Sequence, residues 1–239
     1  MQDFIMDSRQ EILNSIRRGL KQPFQLPAET VSAQMAETVS GPMQNLDEKI
    51  GRYIMELALV SGECSVVASE SECIEKIVAV LRELSACEIA VSCGESIEGI
   101  LSALETAGIR VLRPKQLAEG EKKEAIANMT VSVVVVPYAI ADTATLVMPL
   151  TGCSSLPHFL AETVIALVPA RSLAANHFEL FRALPPEERK NLLMVTGASR
   201  TADIEKILIL GAHGPKRLIV LLQKYHIPTA LGYSAPLQP

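Results

Sequence analysis

The sequence predicts an α/β protein, a mostly parallel sheet covered by helices on both faces and preceded by an N-terminal helical arm. Three observations carry that expectation. Short segments such as "CSVVA", "EIAVSC", "VSVVVVP" and "TVIALVP" are apolar almost throughout, the pattern of strands buried on both faces. Between them lie stretches with apolar residues at helical spacing. The chain is 239 residues long and 49% hydrophobic, enough to bury a full core.

Taken in order, Ser8 and Glu11 stand in capping-box spacing, and Ile12, Leu13, Ile16 and Leu20 share one helical face. A short amphipathic helix is expected, and its apolar face leaves room for a second subunit. Residues 21–43 mix Pro, Ser, Thr and Ala without period, so 1–43 reads as helix and linker arm and 44–239 as the α/β domain. A helix over 44–60 leads to the strand "CSVVA". The helix bearing Ile74, Ile77, Val78, Leu81 and Leu84 follows, then "EIAVSC", then a helix with Ile97, Ile100, Leu101 and Leu104 that ends at Gly108. "IRVL", a charged helix near 115–128, the strands "VSVVVVP", "ATLVM" and "TVIALVP", a helix near 171–184, "LLMVTG", a helix over 201–210 and "RLIVLLQ" complete the series.

Bulk properties exclude several classes. A net charge of −5 without a Lys/Arg cluster leaves no electrostatic footprint for nucleic acid. The N-terminus scatters its charges and does not read as a signal peptide. The most apolar stretch, "VSVVVVPYAIA", has about half the ~20 residues of a membrane span and contains Pro137, so a cytoplasmic protein without a span is expected. Five cysteines without a C-x-x-C pair fit free thiols and specify neither zinc nor an iron–sulfur cluster. His158, His177 and His226 have no partners at metal-ligand spacing, and Ser154 and Ser155 lack the G-x-S-x-G elbow of a hydrolase.

Two loops have the residues for chemistry if they lie at carboxyl ends of parallel strands. "TGASR" follows "LLMV" and enters the expected helix. Gly197 permits an unusual turn, Ser199 or Thr201 caps the helix, and Arg200 adds a cation for a carboxylate or phosphate. The competing reading makes Ser199 and Thr201 plain caps, Asp203 a dipole complement and Arg200 half of an internal ion pair. Neither G-x-x-x-x-G-K nor G-x-G-x-x-G is present, so neither a nucleoside triphosphate nor NAD is implied. In "PYAIADTATL", Asp142 beside Thr143 is a candidate acid, base or orienting group, or a turn residue that binds backbone N–H groups. His213 in "GAHGP" is an acid/base candidate or a cap on helix carbonyls; a helix over 201–210 would hold it ~15 Å from Arg200.

The run "SRTADIE", then "LGAHGP" and a basic-then-apolar strand, together with "AIADTATLVM" and the opening "SRQEILNSIRRGL", resembles the lactate-utilization (LUD) domain family, in its lactate utilization protein C branch. The resemblance implies a fold similar to the sugar-isomerase, CoA-transferase and ribose-5-phosphate-isomerase group. It also implies a role in oxidising L-lactate to pyruvate together with two partner proteins, one of which carries iron–sulfur clusters; no cofactor is expected in this chain. Asp142 stands where the family usually has Glu, and Ala144 where it usually has Gly. The leading expectation is therefore a subunit of an L-lactate (2-hydroxy acid) utilization system that binds a small anion through residues 196–201 with Thr143 and Asp203, and with Asp142 and His213 in acid–base roles. The alternatives are a stand-alone transferase or isomerase on a phosphorylated or acyl metabolite, and a non-catalytic assembly or regulatory subunit.

Overall fold

The structure is a computed structural model that describes residues 10–18, 43, 45–92, 97–113, 129–149, 161–186, 188–202, 208–210 and 214–225. The expected helix near 115–128, most of the linker arm, and Cys153, Ser154, Ser155, His158 and His226 lie outside these residues. The chain divides into two compact units, Met1–Val39 and Ser40–Pro239. The first contains helix α1, residues 10–18, on which Ile12 and Ile16 are exposed.

The second unit opens with α2 (Leu46–Leu59). Its N-cap Asn45 accepts from the Glu48 backbone N–H and returns its own amide to the Glu48 carboxylate, so cap and first turn hold each other. β1 (Glu63–Val67) leads to α3 (Glu70–Glu83), whose N-cap Ser69 accepts from the Glu72 backbone N–H while the Glu72 carboxylate accepts from the Ala68 backbone N–H. β2 (Glu88–Val91), α4 (Glu98–Thr106) and β3 (Arg110–Leu112) follow, then β4 (Val131–Val135), β5 (Tyr138–Ile140), β6 (Thr145–Pro149), β7 (Thr163–Pro169) and β8 (Leu173–Ala174). α5 (His177–Ala183), β9 (Leu192–Thr196), β10 (Arg200–Ala202), β11 (Leu208–Leu210) and β12 (Arg217–Gln223) complete the described elements.

Six strands form one sheet in the order β1-β12-β7-β4-β2-β3, with every neighbouring pair parallel. One face is packed by α3 and α4, whose Ile77, Leu81, Leu101 and Leu104 meet Val133, Ile165 and Ile219. The other face meets α2 and a second sheet, with Tyr53 and Leu57 among Val134, Val164, Val220 and Leu146. The α/β reading holds, with helices on both faces.

The strands "ATLVM" and "LLMVT" do not join the parallel sheet as the sequence suggested. They are β6 and β9 of a four-stranded sheet in the order β8-β5-β6-β9, in which β6 is antiparallel to both its neighbours. The physical reason is the connection: residues 141–144 are the whole link from β5 to β6, too short to cross over to a parallel neighbour. β6 is buried at all five positions, so its pattern cannot say which sheet it joins. The helix expected over 171–184 shortens to α5, behind a 3-10 turn at Ala170–Ser172 and the strand β8.

The helix expected over 201–210 is overturned. β10 and β11 pair antiparallel, Arg200 opposite Leu210 and Ala202 opposite Leu208. Ile204, Ile207 and Leu208 do sit at helical spacing, but the β-branched residues of "RTA" and "LIL" suit a ladder equally well, and cross-strand pairing prevails.

Candidate functional site

The two loops selected by sequence are neighbours in space. Residues 141–144 make the tip of the β5–β6 hairpin, closed by the pair Ile140–Thr145, and the last of the four, Ala144, has φ +50°. Asp142 and Thr143 therefore lie in a hairpin tip, not in a loop that runs from a parallel strand into a helix. The tip is held in place by backbone bonds: Ala141 N–H donates to the Ala174 carbonyl at 2.8 Å and Asp142 N–H to the Ala175 carbonyl at 3.1 Å. Asp142 is half-buried, and its Oδ1 is shielded from solvent.

Antiparallel register then sets Thr145 on β6 opposite Thr196 on β9. The Thr145 hydroxyl donates to Thr143 Oγ1 at 2.9 Å and lies 2.7 Å from Thr196 Oγ1. Since that single hydroxyl hydrogen is directed to Thr143, Thr196 is the donor in the second contact. Three hydroxyls are thus linked from the hairpin tip to the start of "TGASR". Thr145 is 3% exposed, whereas Thr196 opens to solvent, so the row runs from the interior to the surface.

Past Thr196 the chain turns at Gly197, whose φ of +71° is left-handed. A Cβ there would lie 2.6 Å from the Val60 carbonyl oxygen and 2.7 Å from Val60 Cβ, so both the turn and the approach to the end of α2 demand glycine. Ser199 N–H donates to the Pro215 carbonyl at 2.8 Å, and Gly214 faces the Ser199 side chain. Val60 precedes β1 and Pro215 precedes β12, which places this loop at the amino-terminal side of those strands. Because β9 belongs to the second sheet and β10 follows it, Ser199 and Thr201 cap no helix among the described residues, and the helix end that the loop meets is the C-terminus of α2.

The backbone of Arg200 and Thr201 is in β10, and the pairing of Arg200 with Leu210 brings the two ends of the segment together. The ~15 Å separation expected from a helix falls with the helix. Asp203 and His213 lie outside the described residues. The structure therefore gathers Asp142, Thr143, Gly197 and Ser199 in one neighbourhood. It adds Thr145, and it singles out Thr196 within the expected 196–201 loop, neither of which sequence reasoning had picked as a site residue. Their signal was a threonine at the end of each of two otherwise apolar strands, "TLVMP" and "LLMVT". Nothing local to the sequence marks Val60 or Ala174 as contacts.

Chemically, a row of hydroxyls beside a left-handed glycine turn offers hydrogen-bond donors to a small polar ligand. The described Cys64 and Cys73 thiols are not prepared as nucleophiles. Burial pushes the Cys64 thiol up to about 12 and raises Cys73 too, against weaker opposition from the Tyr225 and Gln223 hydrogen bonds. Tyr53 is likewise raised well above its ordinary value by burial, with Cys64 nearby adding to the shift. Among the described residues no cluster of three His, Cys, Asp or Glu side chains is arranged to hold a metal ion, and no helix is long and apolar enough to cross a membrane.

Comparison with known proteins then adds the following. The model of the LUD domain family matches residues 50–223, well over half of the chain. Comparison with curated proteins finds no match. Among solved structures, a DUF162 family protein from Deinococcus radiodurans superposes with a TM-score of 0.59 over 75% of this chain and 98% of that one, at 17% identity, a likeness of fold. Glycine decarboxylase (P-protein) of the glycine cleavage system, in inhibitor-bound form, aligns at a TM-score of only 0.31 and 18% identity, covering 85% of this chain and 59% of that one, and bears on nothing here.

Proposed function

Because the chain belongs to the LUD domain family, which is associated with lactate utilization, we propose that it is a cytoplasmic subunit of an L-lactate utilization system, oxidising L-lactate to pyruvate together with iron–sulfur partner proteins. In this reading it binds a small 2-hydroxy or 2-oxo acid at the junction of the β5–β6 tip and the 196–201 loop. The observation that supports it best is the hydroxyl row Thr143–Thr145–Thr196, which joins the two segments that carry the sequence resemblance. Ser199 donates to the carboxylate, as does Thr196 once its hydroxyl hydrogen turns from Thr145 to the ligand; Arg200 and Thr201 follow in the chain to supply charge and a further donor, and Asp203 orients them. Asp142, next to Thr143, exchanges a proton with the substrate hydroxyl, with His213 as the second acid–base group. The electrons pass to iron–sulfur clusters in a partner protein.

One observation favours a second reading, an assembly subunit. Phe178, Phe181 and Met194 are 52%, 36% and 39% exposed, and Met194 precedes Thr196 on the same face of β9. A stand-alone transferase or isomerase would instead turn over its substrate with no partner at all. The test is L-lactate-dependent dye reduction in host extracts lacking this chain, complemented with wild type or with Thr196→Val. Activity restored by the wild type but not by the variant is expected; undiminished activity without the chain contradicts the proposal. Equal rescue by both, with the chain pulled down alongside its partners, favours the assembly reading.

A further inference from the structure

Between α3 and the β1 edge of the parallel sheet lies an open cleft of about 200 Å³. It is on the other face of the sheet from α2 and the second sheet: its floor is Ile219 and Leu221, which point to the α3 side, whereas Leu218, Val220 and Leu222 point away. The cleft exists because two small side chains, Ser65 on β1 and Ala79 on α3, stand where strand and helix come together.

Its charges are arranged in opposition. At one end a single guanidinium serves two carboxylates: Arg217 reaches Glu63 Oε1 at 2.5 Å through Nε, Glu63 Oε2 at 2.9 Å through Nη2, and Glu83 Oε1 at 2.7 Å through Nη1. Two negative charges against one positive leave that end with an excess of one negative charge. The Arg217 hydrogen bonds hold the Glu63 carboxyl below its ordinary value, so the excess persists at neutral pH. At the other end is Lys76, seven residues before Glu83 on the same helix, hence two turns or ~10 Å away. The nearest acid one turn earlier, Glu72, is turned to the helix start, where it accepts Ala68 N–H at 2.8 Å.

We propose that this cleft binds a small zwitterion, an amino acid with an aliphatic side chain, its ammonium on the Glu63–Glu83 side, its carboxylate on Lys76 and its side chain over Ile219 and Leu221. A plain anion would meet the excess negative charge at one end, and a plain cation would meet Lys76 at the other. A zwitterion satisfies both and uses the apolar floor. The volume equals the liquid share of on the order of six or seven waters at ~30 Å³ each, enough for a molecule the size of leucine.

The experiment is calorimetric titration of the full chain with L-leucine, L-valine and L-norleucine, beside 4-methylpentanoate, which has the acid only, and 3-methylbutylamine, which has the amine only. Saturable binding of an amino acid is expected, with each single-charge analogue weaker by about tenfold. Ala79→Leu, which fills the cleft from an exposed helix position, should abolish the signal, and Ser65→Val serves the same purpose should that variant fail to fold. Glu83→Gln should weaken the amino acid by about tenfold. No saturable signal from any of the three amino acids, equal binding of a single-charge analogue, or binding that survives the filled cleft overturns the proposal.

Discussion

Gly197→Ala tests the placement of the 196–199 loop most sharply, because two separate costs meet at one atom. The residue has φ +71°, and a non-glycine residue held in the left-handed region costs roughly 1–2 kcal/mol. The added Cβ would also lie 2.6 Å from the Val60 carbonyl oxygen, backbone that cannot swing aside, and overpacking of this kind costs typically about 1–3 kcal/mol. Against these stands roughly 0.4–1 kcal/mol from the lower entropy of the unfolded chain. The net expectation is a loss of about 3 kcal/mol. Gly108→Ala is the internal control: Gly108 has φ +85° but nothing within 4 Å of a built Cβ, so it incurs the backbone cost alone, about 1 kcal/mol net. Urea unfolding with m held common to all three proteins measures both. If Gly197→Ala costs no more than Gly108→Ala, the loop does not press against the end of α2, and the geometry built on that contact is wrong.

Other consequences can be checked in the same way. Thr145→Val removes the hydroxyl that links Thr143 to Thr196 and should cost about 1 kcal/mol, with Thr145→Ser recovering most of it. Lys49→Met keeps the stem but loses the ammonium that bridges Glu179 at 2.5 Å and the Leu173 carbonyl at 3.3 Å; about 1 kcal/mol should be lost, and less in 1 M salt. Burial raises the Cys64 thiol from 9.0 to about 12, so its contribution is complete below pH 9 and is lost as the pH rises from 9 towards about 12. Over that window denaturant titrations should show stability falling by up to about 1.4 kcal/mol per pH unit, and Cys64→Ala should flatten the slope.

What could be read in the sequence was whatever local pattern decides. The β1-α3-β2-α4 series is legible because Ile77, Leu81, Leu101 and Leu104 recur at helical spacing and Gly108 ends α4 with a positive φ. Sheet membership was not legible. β6 and β4 are both apolar, and only the four-residue link 141–144 decides that β6 folds back on β5. The segment 200–210 shows the same limit more severely, since Ile204, Ile207 and Ile209 suit a helix and a strand alike in sequence and the outcome depends on pairing between Thr201 and Ile209. The residue types of the site were visible as Thr143, Gly197 and Ser199. Their meeting point was not, because Thr145 and Thr196 are 51 residues apart and are joined by register alone.

The central claim is that the hairpin tip and the 196–201 loop form one anion-binding site. The most direct measurement is a thermal-shift titration of the purified chain with L-lactate and pyruvate, with CoA and sugar phosphates as competitors, on the wild type, Thr196→Val and Arg200→Ala. A ligand at ~100 times its dissociation constant adds about 2.7 kcal/mol to stability, a readable shift. The account predicts that L-lactate or pyruvate stabilises the wild type and that each variant on its own abolishes the shift. A shift of wild-type size in Thr196→Val and Arg200→Ala would contradict it, because the 196–201 loop would then take no part in binding the ligand.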